Sequence, residues 1–215
     1  MLFRSVTTVI IALPFIALSA RSNYALYLAK AEFQRLARTD LQTGLLNRRG
    51  FFEEVEKMIR GGAETTLLII DIDHFKRVND RFGHLVGDAV IAAVGDALSG
   101  PTAGYVCGRV GGEEFAVLLP SASPADAMQQ ADELRWHIVN NVDIRALGSA
   151  PVTVSIGLSP LAGQTLLQAY GMADKALYRA KKAGRNCCVI ARSVSDPKYP
   201  QERFATFEQT TRIAS

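Results

Sequence analysis

"YVCGRVGGEEFAVLLP", residues 105–120, sets two short apolar stretches on either side of Gly111-Gly112 and reads as a β-hairpin with the glycines at its tip. Two glutamates, Glu113 and Glu114, stand directly against the apolar run 115–119. Like charges that close repel, and paired glycines lose backbone entropy on folding, so the corner implies a visiting cation.

Outward from the hairpin, helix and strand signals alternate. "TTLLIIDI" (65–72) has the β-branched composition of a buried central strand, and strands are expected at 152–159 and near 187–191. Apolar spacing predicts helices over 51–60, 86–99, 124–141 and 166–182, the first ended by Gly61-Gly62. The order β, α, β, β, α, β, α, β is that of a ferredoxin-like α+β fold, an antiparallel sheet with helices on one face.

With 215 residues, 48% apolar and 21% charged, the chain has the composition of one globular domain with short appendages. A net charge of +3 excludes nonspecific nucleic-acid binding as a reading. Cys107, Cys187 and Cys188 form no disulfide framework and read as reduced thiols. The run "SVTTVIIALPFIALSA" (5–20) carries no charge. It is short against the roughly 20 residues of a membrane span, but Arg4 and Arg21 can snorkel. The later cations Arg21, Lys30, Arg35 and Arg38 would keep the carboxyl side in the cytoplasm. We favour an anchor over a cleaved signal peptide or a buried helix. Residues 1–23 are thus expected to be an anchor and 24–39 a helical stalk with Leu26, Ala29, Phe33 and Leu36 on an a/d rhythm. Residues 40–191 form the globular domain, and 192–215 are a polar tail.

The expected strand 65–72 leads into Asp71 and Asp73, on the same side of a period-two chain. If the hairpin lies beside it, Glu113 and Glu114 approach Asp71, and three carboxylates so close call for a hard divalent ion. Gly111 and Gly112 would admit a bulky nucleotide near the backbone. Asp73 alone also fits a helix cap. "VNDRFGHLVGD" (78–88) reads as a loop that then starts a helix, offering Asn79, Asp80, His84 and Asp88. An amide and a carboxylate can read a guanine edge, although the same residues make a good turn and helix start. We read His84 as structural. Lys181 and Arg185 stand at a helix end, where they can reach a triphosphate or simply offset the helix dipole.

The ordered motifs "DLQTGLLNRR", "DIDHFKRVNDRFGHLVGD", "RVGGEEF", "VTVSIGL" and "ADKALYRAKKAGRN" closely resemble the GGDEF domain of diguanylate cyclases, from about residue 40 to about 190. The resemblance implies a nucleotidyl-cyclase-like α+β fold preceded by an N-terminal helix. It also implies condensation of two GTP into cyclic di-GMP and two pyrophosphates across a homodimer. By resemblance, Asp71, the Ile72 carbonyl, Glu113 and Glu114 bind magnesium, with manganese as the alternative ion, and Glu113 and Glu114 are catalytic. Asn79 and Asp88 would hold guanine, and Lys181, Arg185 and the backbone around Phe75 and Lys76 would clamp the phosphates. The implied setting is the bacterial inner membrane with the catalytic domain in the cytoplasm. The rival readings are a catalytically silent module that binds GTP or a protein partner, and a fragment of a longer sensor. Two departures stand out. Gln42 replaces a usual leucine of the first motif, which we read as a matter of local packing. The positions of the RxxD product-inhibition motif hold Thr102 and Tyr105, so no such site is expected.

Overall fold

The strand β2 (Thr65–Ile72) is buried at every position. Its side chains alternate between two apolar faces, so both faces need cover. On one face Leu68, Ile70 and Ile72 pack with Val90, Val94 and Leu98 of one helix and Ala131, Leu134 and Ile138 of another. On the other, Leu67 and Ile69 meet Phe51, Val55, Ala173 and Leu177. The expectation of helices on one face is therefore corrected to helices on both.

The computed structural model describes residues 16–30, 38–60, 64–100, 104–120, 123–148 and 150–191. The chain divides into two units, Met1–Ala37 and Arg38–Ser215. In the first, residues 16–30 are helical, with Ile16, Leu18, Leu26 and Tyr27 exposed. Most of the apolar run 5–20, Phe33 and Leu36 of the stalk rhythm, and the tail 192–215 lie outside the described residues. Among the described residues no helix is long and apolar enough to cross a membrane.

The second unit runs β1 (Leu46–Asn47), α1 (Arg48–Arg60), β2, α2 (Phe75–Phe82), α3 (His84–Ser99), β3 (Val106–Arg109), β4 (Glu114–Pro120) and α4 (Pro124–Asn141). A 3-10 turn (Arg145–Leu147), β5 (Val154–Pro160), α5 (Leu166–Lys182) and β6 (Cys188–Ile190) complete it. The six-stranded sheet has the order β1-β3-β4-β2-β5-β6. Its centre is antiparallel, β4-β2-β5, and the hairpin β3-β4 is too. Both edges are parallel, β1 with β3 and β5 with β6, so the sheet is mixed rather than wholly antiparallel.

Local chemistry explains the helix starts. Ser123 caps α4 by accepting from Asp126 N at 3.1 Å, with Pro124 in the first turn. Thr165 and Gln168 form a capping box on α5. The segment 78–88 is not a loop: α2 runs to Phe82, Gly83 turns the chain at φ 83, and α3 begins at once. Gly157 brings β5 against α5, since a Cβ there would collide with Ala173 O and Leu177 N. Cys107, Cys187 and Cys188 form no disulfide with one another.

Candidate active site

The hairpin tip is locked to the end of β2. Asp71 pairs in register with Glu114 on one side and Ser155 on the other, and Ile72 N donates to Glu113 O at 3.3 Å. Val110 N and Gly111 N both donate to Glu114 O, at 2.9 and 3.1 Å, which closes the corner. Neither corner glycine has a positive φ. A Cβ on Gly111 would lie 2.7 Å from Glu114 Oε2, the movable end of a flexible side chain, whereas a Cβ on Gly112 would meet no atom within 4 Å.

Asp71 is buried, and Lys181 Nζ stands 2.7 Å from its Oδ2. Burial pushes the Asp71 pKa above the ordinary value; the Lys181 hydrogen bond and charge oppose this, while the charges of Glu114 and Asp73 add to it. The structure thus brings Asp71, Glu114 and Lys181 together. Among the described residues no group of three or more acidic, histidine or cysteine side chains is arranged to hold a metal ion.

Asp73 does a different job from either of those first considered. It does not cap α2, whose N-cap position is His74 in the left-handed region with no side-chain cap bond. Instead its Oδ1 accepts from Ser155 Oγ at 2.7 Å, and its Oδ2 accepts from Thr153 Oγ1 at 2.8 Å and Asn186 N at 3.0 Å. Asn186 Oδ1 in turn accepts from Arg135 Nη1 at 2.7 Å. These bonds pin the turn Gly184-Arg185-Asn186, where φ is 117, 67 and 45. A non-glycine residue in that region carries about 1–2 kcal/mol of strain, which the network offsets. Arg185 is exposed on this turn, one turn beyond Lys181.

On the expected guanine side, Asn79 lies in α2 rather than in a loop. Its Oδ1 is buried without a hydrogen-bond partner and sits against Gly87, where a Cβ would collide with it. Asp88 is exposed on α3, Asp80 and His84 are exposed as well, and Phe75 is buried beneath the start of α2 beside exposed Lys76. The N–H groups of Phe75 and Lys76 belong to a helix's first turn, which lacks intrahelical acceptors.

Gln42 corrects the packing reading. Its Nε2 donates to Asp88 Oδ1 and to Asp88 O, both at 3.1 Å, and its Oε1 accepts from Arg109 Nη1 at 2.6 Å. Arg109 was missed in sequence: Nη2 donates to Gly112 O at 2.8 Å, and Nη1 pairs with Asp40 Oδ1 at 3.3 Å. Its place beside the glycine pair was the available signal. Asp40 also accepts from Thr43 N and Oγ1, at 3.0 and 2.8 Å. Its burial raises the pKa, but the Thr43 hydroxyl and Arg109 outweigh this and leave it below the ordinary value.

The sequence profile of the family described as "Diguanylate cyclase, GGDEF domain" matches residues 37–187. The chain is 39% identical over 163 residues to "Response regulator PleD" of Caulobacter vibrioides, covering 72% of this chain and 36% of that protein. It is 38% identical over 161 residues to "Diguanylate cyclase VdcA" of Vibrio cholerae, covering 73% of this chain and 48% of that protein. The chain therefore spans between a third and a half of the length of these curated relatives. The crystal structure of the GGDEF domain of DgcB from Caulobacter crescentus in complex with c-di-GMP matches with a TM-score of 0.66 at 33% identity, over 73% of this chain and 94% of that one.

Proposed function

The chain belongs to the GGDEF-domain family of diguanylate cyclases, and from that premise we propose that it joins two GTP molecules into cyclic di-GMP with release of two pyrophosphates. One observation carries the reading: Asp71 and Glu114 face each other where β2 ends, and Lys181 reaches the same point. Acid groups for a divalent ion and a cation for phosphate thus meet in one place.

Each 3′ hydroxyl attacks the α-phosphorus of the other nucleotide; the new P–O bond forms as the bond to pyrophosphate breaks, and the hydroxyl proton leaves. Asn79 and Asp88 hold guanine. Lys181, Arg185 and the first-turn amides of Phe75 and Lys76 hold the phosphates, so that the reacting atoms are oriented rather than diffusing. Glu114, in register with Asp71, is the group positioned to take the proton. Magnesium commonly uses one or two carboxylates and completes its shell with substrate phosphates, so facing carboxylates suit it without a three-acid cage. Asp71, the Ile72 carbonyl, Glu113 and Glu114 would hold it, with manganese as the alternative. When bound, such an ion lowers the pKa of the attacking hydroxyl and neutralises the leaving pyrophosphate.

One domain binds one GTP, so two copies must face each other, and the apolar rhythm of residues 26–36 supports a homodimeric stalk. The uncharged run 5–20 between Arg4 and Arg21 supports anchoring at the bacterial inner membrane with the catalytic domain in the cytoplasm. Thr102 and Tyr105 in place of the RxxD pair support the lack of that product-inhibition site; the Tyr105 hydroxyl donates to Gln130 Oε1 at 2.8 Å.

The test is incubation of the purified chain with GTP and magnesium over a range of protein concentrations. Cyclic di-GMP should form, with a rate per chain that rises with concentration where dimerisation limits activity. GTP binding with no cyclic product at any concentration would replace this reading with that of a silent module.

A further inference from the structure

We propose that Gln42 is a positioning residue for base recognition: its carboxamide, held between Arg109 and Asp88, sets the Asp88 carboxylate and ties it to the Gly111-Gly112 corner. The inference rests on the reading of Asp88 as a guanine-binding group and deepens it.

The amide has one arrangement available. Arg109 only donates and the Asp88 carboxylate offers acceptor oxygens, so Oε1 faces the guanidinium and Nε2 the carboxylate. That is the arrangement observed, with 2.6 Å to Arg109 Nη1 and 3.1 Å to Asp88 Oδ1. Both ends are anchored. Arg109 grips the corner through Gly112 O, at 2.8 Å from Nη2 and 3.1 Å from Nε, and Asp40 through Nη1. The Gln42 backbone follows Asp40, whose carboxylate holds the next residue, buried Thr43, by two hydrogen bonds. Gln42 is half-buried, whereas Asp88 sits on an exposed helix face where its side chain would otherwise sample several rotamers. Tethering Oδ1 removes that freedom and leaves Oδ2 for the base. The leucine usual at this position can make neither bond.

The roles separate in a binding measurement. 3′-Deoxy-GTP and 3′-deoxy-ITP lack the attacking hydroxyl and bind without turnover, and hypoxanthine lacks the 2-amino group that a carboxylate accepts from. The ratio of their Kd values, read by calorimetry with magnesium, reports the grip of Asp88. Gln42→Leu should reduce that ratio by about 3- to 10-fold, as expected for loss of one or two hydrogen bonds. Binding of inorganic triphosphate should not change. Gln42→Glu keeps the Arg109 contact but places a charge against Asp88, so it should lose more 3′-deoxy-GTP affinity than the leucine variant. In an Asp88→Ala background Gln42→Leu should have no further effect on the ratio. If Gln42→Leu keeps the full ratio while Asp88→Ala loses it, the role of Gln42 is overturned and the guanine reading stands. If Asp88→Ala also keeps the ratio, the guanine reading fails and this inference fails with it.

Discussion

Lys181 Nζ stands 2.7 Å from Asp71 Oδ2, joining a residue expected to hold phosphate to one expected to hold metal. A buried carboxylate with Glu114 and Asp73 nearby needs a cation, and the lysine at the end of α5 supplies it. On the proposed function, a triphosphate-bound ion would offer both groups new partners at once, so nucleotide binding would be coupled to release of this pair.

Lys181→Met should therefore lower stability as well as nucleotide binding. Losing the charged partner of a buried group costs about 1–3 kcal/mol, which urea unfolding at neutral pH would read. The loss should shrink on acidification, as Asp71 protonates and needs no cation. A deficit independent of pH would mean that the pair contributes nothing through charge.

Asp71→Asn should separate activity from stability. The folded state raises the Asp71 pKa, mainly by burial, so the ionised side chain subtracts stability above that raised value and subtracts none once pH falls below the ordinary 3.8. The amide removes the penalty at neutral pH. Cyclic di-GMP synthesis should vanish while Tm rises, by roughly 2–4 °C for each kcal/mol recovered. A lower Tm at pH 7 would show that the Lys181 pair outweighs burial.

Asp40 behaves in the opposite sense. Burial raises its pKa, but the Thr43 hydroxyl and Arg109 leave it below 3.8, so its stabilising contribution is full above 3.8 and is lost as pH falls through the folded value. Asp40→Asn should thus be less stable than the parent at pH 7, with the two curves converging at the acid end. Parallel acid-unfolding curves would remove Asp40 from the linkage.

Elements with strong local signals were legible in sequence. The β2 limits 65–72 and the starts of α4 and α5 follow from a β-branched run and from the Ser123-Pro124 and Thr165 caps. Segment 78–88 was misread because Asn79-Asp80 and Gly83 have turn composition, whereas buried Phe75 and the packing of Val78 on the core hold α2 helical. The bridge Arg109-Gln42-Asp88 was invisible because its contacts join residues 67 and 46 apart, and a side-chain contact at such separation leaves no periodic trace.

Gly157→Ala tests the seating of α5. The new methyl would collide with backbone atoms of Ala173 and Leu177, lying 2.8 Å from Leu177 Cα, so the whole helix must shift. A cost of about 1–3 kcal/mol is expected, and because Lys181 rides on that helix, KM for GTP should rise as well. Wild-type stability would mean that β5 and α5 can move apart at no cost.

The last prediction turns on what an amide can replace at residue 73. In Asp73→Asn the remaining oxygen can serve Thr153 Oγ1 and Asn186 N, while the new NH2 can donate to the Ser155 hydroxyl, which also accepts. That variant should stay close to the parent in urea unfolding and in KM. Asp73→Ala leaves Asn186 N and two hydroxyls without their acceptor, at about 1–3 kcal/mol, and frees the strained turn that presents Arg185. KM for GTP should then rise about tenfold, the equivalent of roughly 1.4 kcal/mol, with kcat changed less. Equal damage from both variants would show that the negative charge, and not the acceptor geometry, holds the turn.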